Sequence, residues 1–263
     1  MASWFSPKDP IPTRVSLSAS AITVLVCAGV WCLLSYGRLV TPEFLPPPHQ
    51  VLVAGARLLE DGSLLVHTRA SATVIFTGFA LASVLAIPLG VFMGSFKLVE
   101  ALVEPIVNFV RYLPVSALIP LLILWIGIGA EEKIAVIFIG TFFQQVILIS
   151  DVSAHVSRDL VDVSYTLGAR RWTVVSRVLI PATLPGVMDT LRITMGWAWT
   201  YLVVAELVAA NKGLGYLILN SMRGLFTDQI FVGIMTIGLL GLGTDQLFKY
   251  LHRWLLPWSP KVG

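Results

Sequence analysis

"ASATVIFTGFALASVLAIPLGVFMGSF", residues 70–96, runs for 27 positions without an Asp, Glu, Lys, Arg or His. At about 1.5 Å rise per residue, a helix of that length exceeds the roughly 30 Å hydrocarbon core of a bilayer. A helix in a soluble core is usually wetted on one face and carries charge there, and this stretch has no such face. It is predicted to cross a membrane. Working outward, Leu17–Tyr36, Tyr112–Ala130 and Ile134–Ser150 are free of the same five residue types. Two further runs are less clean: Ile193–Ala210 is interrupted by Glu206, and Ile230–Tyr250 by Asp245 and Lys249. The prediction is an all-α integral membrane protein, one transmembrane domain over 1–263. Its six spans fall near 17–36, 70–96, 112–130, 134–150, 186–210 and 230–250, with a polar loop at 151–185. The chain is 56% apolar and 13% charged, which excludes an ordinary soluble domain.

Lys8 and Arg14 precede the first run, as they would in a secretory signal. Its 20 residues exceed the usual apolar core of such a signal and no small-x-small site follows promptly, so a retained helix is expected. Cys27 and Cys32 are five apart on that helix, unable to form a disulfide with each other, and read as packing residues. The four histidines are scattered, so no metal-site spacing appears.

Six spans place both termini on one side. With the N-terminus inside, twelve of the 18 Lys and Arg residues fall inside and six outside, a bias that satisfies the positive-inside rule. Both termini are expected in the cytoplasm, and the basic balance needs no nucleic-acid partner. Outside lie 37–69, where Val51–Leu59 could form a short amphipathic helix on the outer leaflet, and "NKGLGYLILNSMRGLFTDQ", whose glycines suggest turns rather than a continuous helix.

The longest internal polar loop on the inner side contains "RDLVDVSYTLGARRWTVVSRVLIPATLPG", residues 158–186. Leu160, Val163 and Leu167 make a narrow apolar stripe on a short helix. Gly168 permits positive φ or a close backbone approach, and Arg170 and Arg171 open a second helix. Pro181 is expected to break or kink that helix, leaving Pro185 in the first turn of the next span. The prediction is a helix–glycine–helix elbow at the cytoplasmic face.

This elbow resembles the coupling loop of binding-protein-dependent ATP-binding-cassette (ABC) importer permeases. That motif has an acidic-small-small start, a glycine, an apolar residue ten later, then Leu-Pro at twelve and thirteen. Asp162-Val163-Ser164, Gly168, Val178, Ile180 and Pro181 stand at those places. "FLPPPHQV", "YLPVSALIPLLILWIGIG", "LGARRWTVVSRVLIPATLP" and "VVAELVAANKGLGYL" are similar to stretches of the nitrate/sulfonate/taurine/bicarbonate permease family, in order along nearly the whole chain. One departure is "FFQQ", with Gln144 and Gln145, where relatives often have "FFP".

The resemblance implies a type I importer permease fold with a cytoplasmic coupling helix, in a bacterial inner membrane. Implied partners are a second permease copy, cytoplasmic ABC ATPase subunits that hold ATP and Mg, and an external solute-binding protein. Asp162, Ser164, Leu167, Gly168, Ala169, Arg170, Arg171 and Pro181 would contact or position the ATPase. The chain contains no Gly-Lys dipeptide and hence no P-loop, so no cofactor is expected on it and ATP would be bound by another subunit. It is therefore read as a transport subunit and not an enzyme.

Gln144, Gln145 and Glu206 are the candidates for the translocation path or its gate, because polar groups inside spans usually face a bundle interior or water. The two glutamines lie about 100° apart on a helix, so at most one points squarely into a pore. Glu206 is expected to act in a gate or a structural pairing, since a bare carboxylate would repel an anion. Asp245 reads as an interfacial residue. The solute implied is a small oxyanion of the nitrate, sulfonate, taurine or bicarbonate type. The alternative is an uncharged or cationic solute such as a pyrimidine vitamin precursor. A stand-alone secondary transporter would need buried ionisable groups and internal repeats, and a membrane enzyme a clustered reactive set; neither pattern is visible.

Overall fold

The structure, a computed structural model, describes residues 12–208 and 210–259. Lys8 and Lys261, two of the charges counted for orientation, lie outside those residues. The described residues form helices joined by short turns, without strands: α1 Thr13–Tyr36, α2 Pro48–Glu60, α3 Ser63–Ser95, α4 Lys97–Arg111, α5 Val115–Ile126, α6 Ala130–Ala154, α7 Arg158–Thr166, α8 Arg171–Val174, α9 Ile180–Val208, α10 Leu214–Arg223 and α11 Thr227–Leu255. A π-helical turn, Val175–Leu179, joins α8 to α9. Five helical stretches are long and apolar enough to span a bilayer, and α4 with α5 makes a sixth if that bent pair is one span.

The α3–α6 pair is the spine of the bundle. Gly78, Ala82, Ala86, Gly90 and Gly94 recur every fourth residue along α3, and this small-residue row lets α6 approach backbone to backbone. A methyl group on Gly78 would stand 3.0 Å from the Ile134 carbonyl oxygen, and one on Gly90 2.8 Å from Ile149 Cβ. Ser153 Oγ donates to the Val91 carbonyl at 3.2 Å and pairs with Ser95 Oγ at 3.0 Å, closing the inner end. Helix α9 completes the core, with Met195, Ala198, Trp199 and Leu202 packed on Val74, Ile75, Phe79 and Ile137.

Three expectations are corrected. The span expected at 112–130 is not one straight helix: α4 and α5 meet at 93°. Pro114 lacks an N–H and disfavours helical geometry at Leu113; it sits extended, at φ −67° and ψ 113°, as α5 begins. Helix α4 instead lays Val99, Val103 and Val107 along the inner halves of α3 and α6. Pro181 does not end a helix, because helical structure continues from Arg171 to Val208. The π turn just before Pro181 shifts the bonding register, which accommodates the missing donor and the ring. The helix that carries the fifth span therefore begins near 171, ahead of the start expected at 186, and the loop before it shrinks to the residues around α7. Finally, 214–223 is helical: Gly213 precedes α10 and Gly224 follows it, so those two glycines punctuate the helix.

The remaining spans are longer than the charge-free runs. Helix α3 starts at Ser63 rather than 70, α6 covers 130–154 rather than 134–150, and α11 covers 227–255. The added ends carry charged residues that do not end the helix: Asp151 of α6 is exposed, while Glu132 and Lys133 at its start are buried. Helix α1 lies apart from the core, its most apolar stretch wholly unburied. It is pinned at one end by Trp31, which stacks on Phe231 with centroids 5.7 Å apart and donates to the Pro46 carbonyl at 3.1 Å. The apolar face of α2, Val51, Ala54 and Leu58, packs on Leu214, Leu217 and Val232 and so covers protein, where an outer-leaflet helix was expected.

Candidate functional site

Two regions carry the residues singled out from the sequence. The first is the elbow. Ser157 caps α7, its Oγ accepting from the Asp159 N–H at 3.2 Å, and no residue of α7 is buried. Leu160, Val163 and Leu167 all face outward, Leu167 with 81% of its surface exposed. An uncovered apolar stripe on a polar loop is a surface suited to a protein partner. The chain reverses at Gly168, φ +80°, where the Gly168 N–H donates to the Tyr165 carbonyl at 2.9 Å and the Ala169 N–H to the Ser164 carbonyl at 3.0 Å. A methyl group on Gly168 would meet nothing within 4 Å, so the position needs glycine for its dihedral angle and not for space. Asp162 and Ser164 on α7, then Leu167, Gly168, Ala169, Arg170 and Arg171, form one contiguous elbow; Asp162, Arg170 and Arg171 are exposed. Pro181 stands apart from it, beyond the π turn.

The second region lies within the bundle, where the structure separates the two glutamines. Gln145 is fully buried and its Nε2 donates to Thr194 Oγ1 at 3.3 Å, tying α6 to α9. Gln144 faces a cavity of about 380 Å³ at the α4–α5 bend, together with Arg111, Tyr112, Ser116, Thr200 and Tyr201. Arg111, counted from the sequence as an inner-surface charge, is half-buried and lines this cavity.

Glu206 is buried and doubly bonded. Ser71 Oγ donates to its Oε1 at 2.7 Å, and the Gly215 N–H donates to its Oε2 at 2.7 Å. Ser71 Oγ also accepts from the Leu214 N–H at 2.8 Å, and His67 Nδ1 accepts from the Gly213 N–H at 3.1 Å. Groups from α3 and α9 thus satisfy the free amides that begin α10, and a carboxylate there meets the positive end of the helix. This locks residues 210–213 onto that end of the core. Beside it is an outer cavity of about 520 Å³ that Arg69, Lys133 and Lys212 also line. Sequence reading missed Ser71 and His67 because nothing local marks a serine or histidine as the cap of a helix more than 140 residues away.

At the opposite end, Asp245 is a counter-ion where an interfacial residue was expected. Its carboxylate stands 3.7 Å from Arg192 and 3.0 Å from Lys249, and Asp189 lies 3.9 Å from Arg192 and 3.8 Å from His252. This network joins α9 to α11 at the same end of the bundle as the elbow.

Comparison with known proteins agrees with this geometry. A probable ABC transporter permease protein of Brucella abortus is 37% identical over 246 residues, covering 94% of this chain and 97% of its own. The taurine transport system permease protein TauC of Escherichia coli is 33% identical over 258 residues, covering 96% and 93%. Among solved structures, a chain of a bacterial alginate ABC transporter superposes with a TM-score of 0.62 at 12% identity, over 92% of this chain and 97% of that one. That likeness concerns the fold, and it is the importer-permease fold expected from the sequence. Residues 86–257 match the family described as binding-protein-dependent transport system inner membrane component. The chain belongs to that family of ABC transporter permeases.

Proposed function

We propose that this chain is the membrane-spanning subunit of an importer for a small sulfonate-type oxyanion, driven by separate ATPase subunits and supplied by an external binding protein. The substrate class rests on the 33% identity to TauC along 96% of the chain. The observation that carries the mechanism is the exposed elbow at 158–171, whose apolar stripe and arginine pair none of the described residues covers.

In this reading a loaded binding protein docks on the outer segments 37–69 and 211–229. ATP and Mg act in the ATPase subunits, and their closure moves the elbow. The continuous helix from Arg171 to Val208 carries that motion into the core. Two copies of the chain, as a homodimer, rock between inward- and outward-facing states; no covalent chemistry occurs on either. Glu206 acts as a clamp on the outer connection, and Gln144 faces the path. Both termini are cytoplasmic, in a bacterial inner membrane.

The test is purification of the chain from its native membrane in mild detergent, comparing wild type with Gly168→Trp. The expected result is an ATPase subunit that accompanies wild type and is lost with the variant, since φ +80° strains any side chain there and the indole would occupy the docking face. No ATPase with wild type under any condition would overturn the reading.

A further inference from the structure

The cavity at the α4–α5 bend has the chemistry of an anion subsite. Helix α5 has 12 residues and rises about 18 Å, so with α4 and α5 taken as one broken span the bend falls inside a roughly 30 Å hydrocarbon core. A cation at that depth is costly and is normally paired or hydrated in a cavity. Arg111 forms no ion pair among the described residues. Instead its Nε donates to Asn108 Oδ1 at 2.8 Å and one Nη to the Tyr112 hydroxyl at 2.8 Å. Asn108 is held in turn by Glu104, at 3.2 Å. Two of the five guanidinium N–H groups are thus used to orient the side chain, and three remain.

The rest of the wall is matched to those donors. Ser116 and Thr200 contribute hydroxyls, Gln144 an amide and Tyr201 a phenol, and none of the four side chains bonds another described residue. Among the described residues, no Asp or Glu lines the cavity. A metal cation or an amine alone would find repulsion there. An oxyanion would find one fixed positive charge and a ring of uncommitted donors, the pairing in which charge-assisted hydrogen bonds are strong. The volume of about 380 Å³ leaves room for a small organic anion with water around it. Phe143, Val136 and Ile139 supply apolar wall for a short carbon chain.

We propose that Arg111, Tyr112, Ser116, Gln144, Thr200 and Tyr201 form a transient binding subsite for the sulfonate-class head group of the transported solute. This rests on the importer reading above and adds a selectivity element within the membrane, separate from the binding protein. Glu104 and Asn108 are positioning residues, acting through Arg111.

The purified permease–ATPase complex is melted in detergent with ethanesulfonate, with uncharged ethanesulfonamide, or with sodium chloride at matched ionic strength. Ethanesulfonate is expected to raise the wild-type melting temperature, because a ligand held only by the folded state stabilises it. The sulfonamide and chloride are not. The shift should vanish in Arg111→Gln and persist in part in Arg111→Lys. Should Arg111→Gln fail to assemble, Gln144→Leu/Thr200→Val carries the test: two lost donors should raise the ethanesulfonate needed for half the shift by about tenfold. Equal shifts in wild type and variants, or none at any concentration, would overturn the subsite. Failure of the importer reading is distinct: no ATPase accompanies the wild-type chain, and the same sulfonate comparison is then decided on the permease alone.

Discussion

Glu206 illustrates how a charge inside a span can serve structure. Its two oxygens each accept a bond of 2.7 Å, from Ser71 and from the Gly215 amide, and Ser71 Oγ accepts a further bond from the Leu214 N–H. Removing one member leaves buried partners unmet, which costs about 1–3 kcal/mol per group. Glu206→Gln places an amide NH₂ against a donor and should destabilise by about that amount. Ser71→Ala should cost a similar amount, since it strands both a Glu206 oxygen and the Leu214 N–H. The double variant should fall well short of the sum, because both changes break one network. Melting of the purified protein measures all three, and strict additivity would show that the network does not act as a unit. Part of this site was visible in the sequence and part was not. A lone glutamate in an apolar run is conspicuous by itself, but Ser71 and His67 become meaningful only when α3 meets α10. Gln144 and Gln145 were visible as a pair, and only the rotation of α6 assigns one to a cavity and the other to Thr194.

At the scale of elements, the apolar runs mark where helices exist, while proline and glycine chemistry decides how they end. Apolar length located the cores of five long spans, three free of charge and two nearly so, because a charge in lipid is costly wherever the helix lies. It could not locate their ends, because the helices run on through charged residues, some exposed like Asp151 and some buried like Glu132 and Lys133. It also could not foresee that Leu113-Pro114 folds the third span through 93°, while Pro181, after a π turn, lets its helix run on. Pro114 follows the end of α4, whereas Pro181 follows a π turn inside a continuing helix. The α3–α6 seam yields a prediction of its own. Gly90→Val forces branched methyls against Ile149, where even a Cβ would stand at 2.8 Å, and should destabilise by about 1–3 kcal/mol or separate the helices. Gly238→Ala on α11, where an added methyl meets nothing within 4 Å, should be neutral or stabilising by up to about 1 kcal/mol. Comparable loss at both positions, read by melting or by resistance to proteolysis, would mean that the seam is not specially close-packed.

Taken as a whole, the molecule has two polar ends held to one apolar middle, and its function depends on which end faces which compartment. One end carries the elbow with Arg158, Arg170, Arg171 and Arg177, and the Arg192–Asp245–Lys249 network beside it. The other carries α2, α10 and the Glu206 clamp. The basic end is expected in the cytoplasm, because translocating an arginine-rich loop is disfavoured and the rule is strongest for short loops near span ends. That assignment can be checked without any partner protein. Cys27 and Cys32 are the only cysteines and lie in α1, so Cys27→Ser/Cys32→Ser gives a background free of thiols. New single cysteines are then introduced by Asp61→Cys at the α2–α3 turn and by Tyr165→Cys on α7, both exposed. In intact cells, a membrane-impermeant maleimide able to cross the outer envelope should label the first and spare the second. Inside-out vesicles should reverse the pattern. Labelling of position 165 in intact cells would place the elbow outside, out of reach of any ATP-binding partner, and would remove the physical basis for coupling through Gly168.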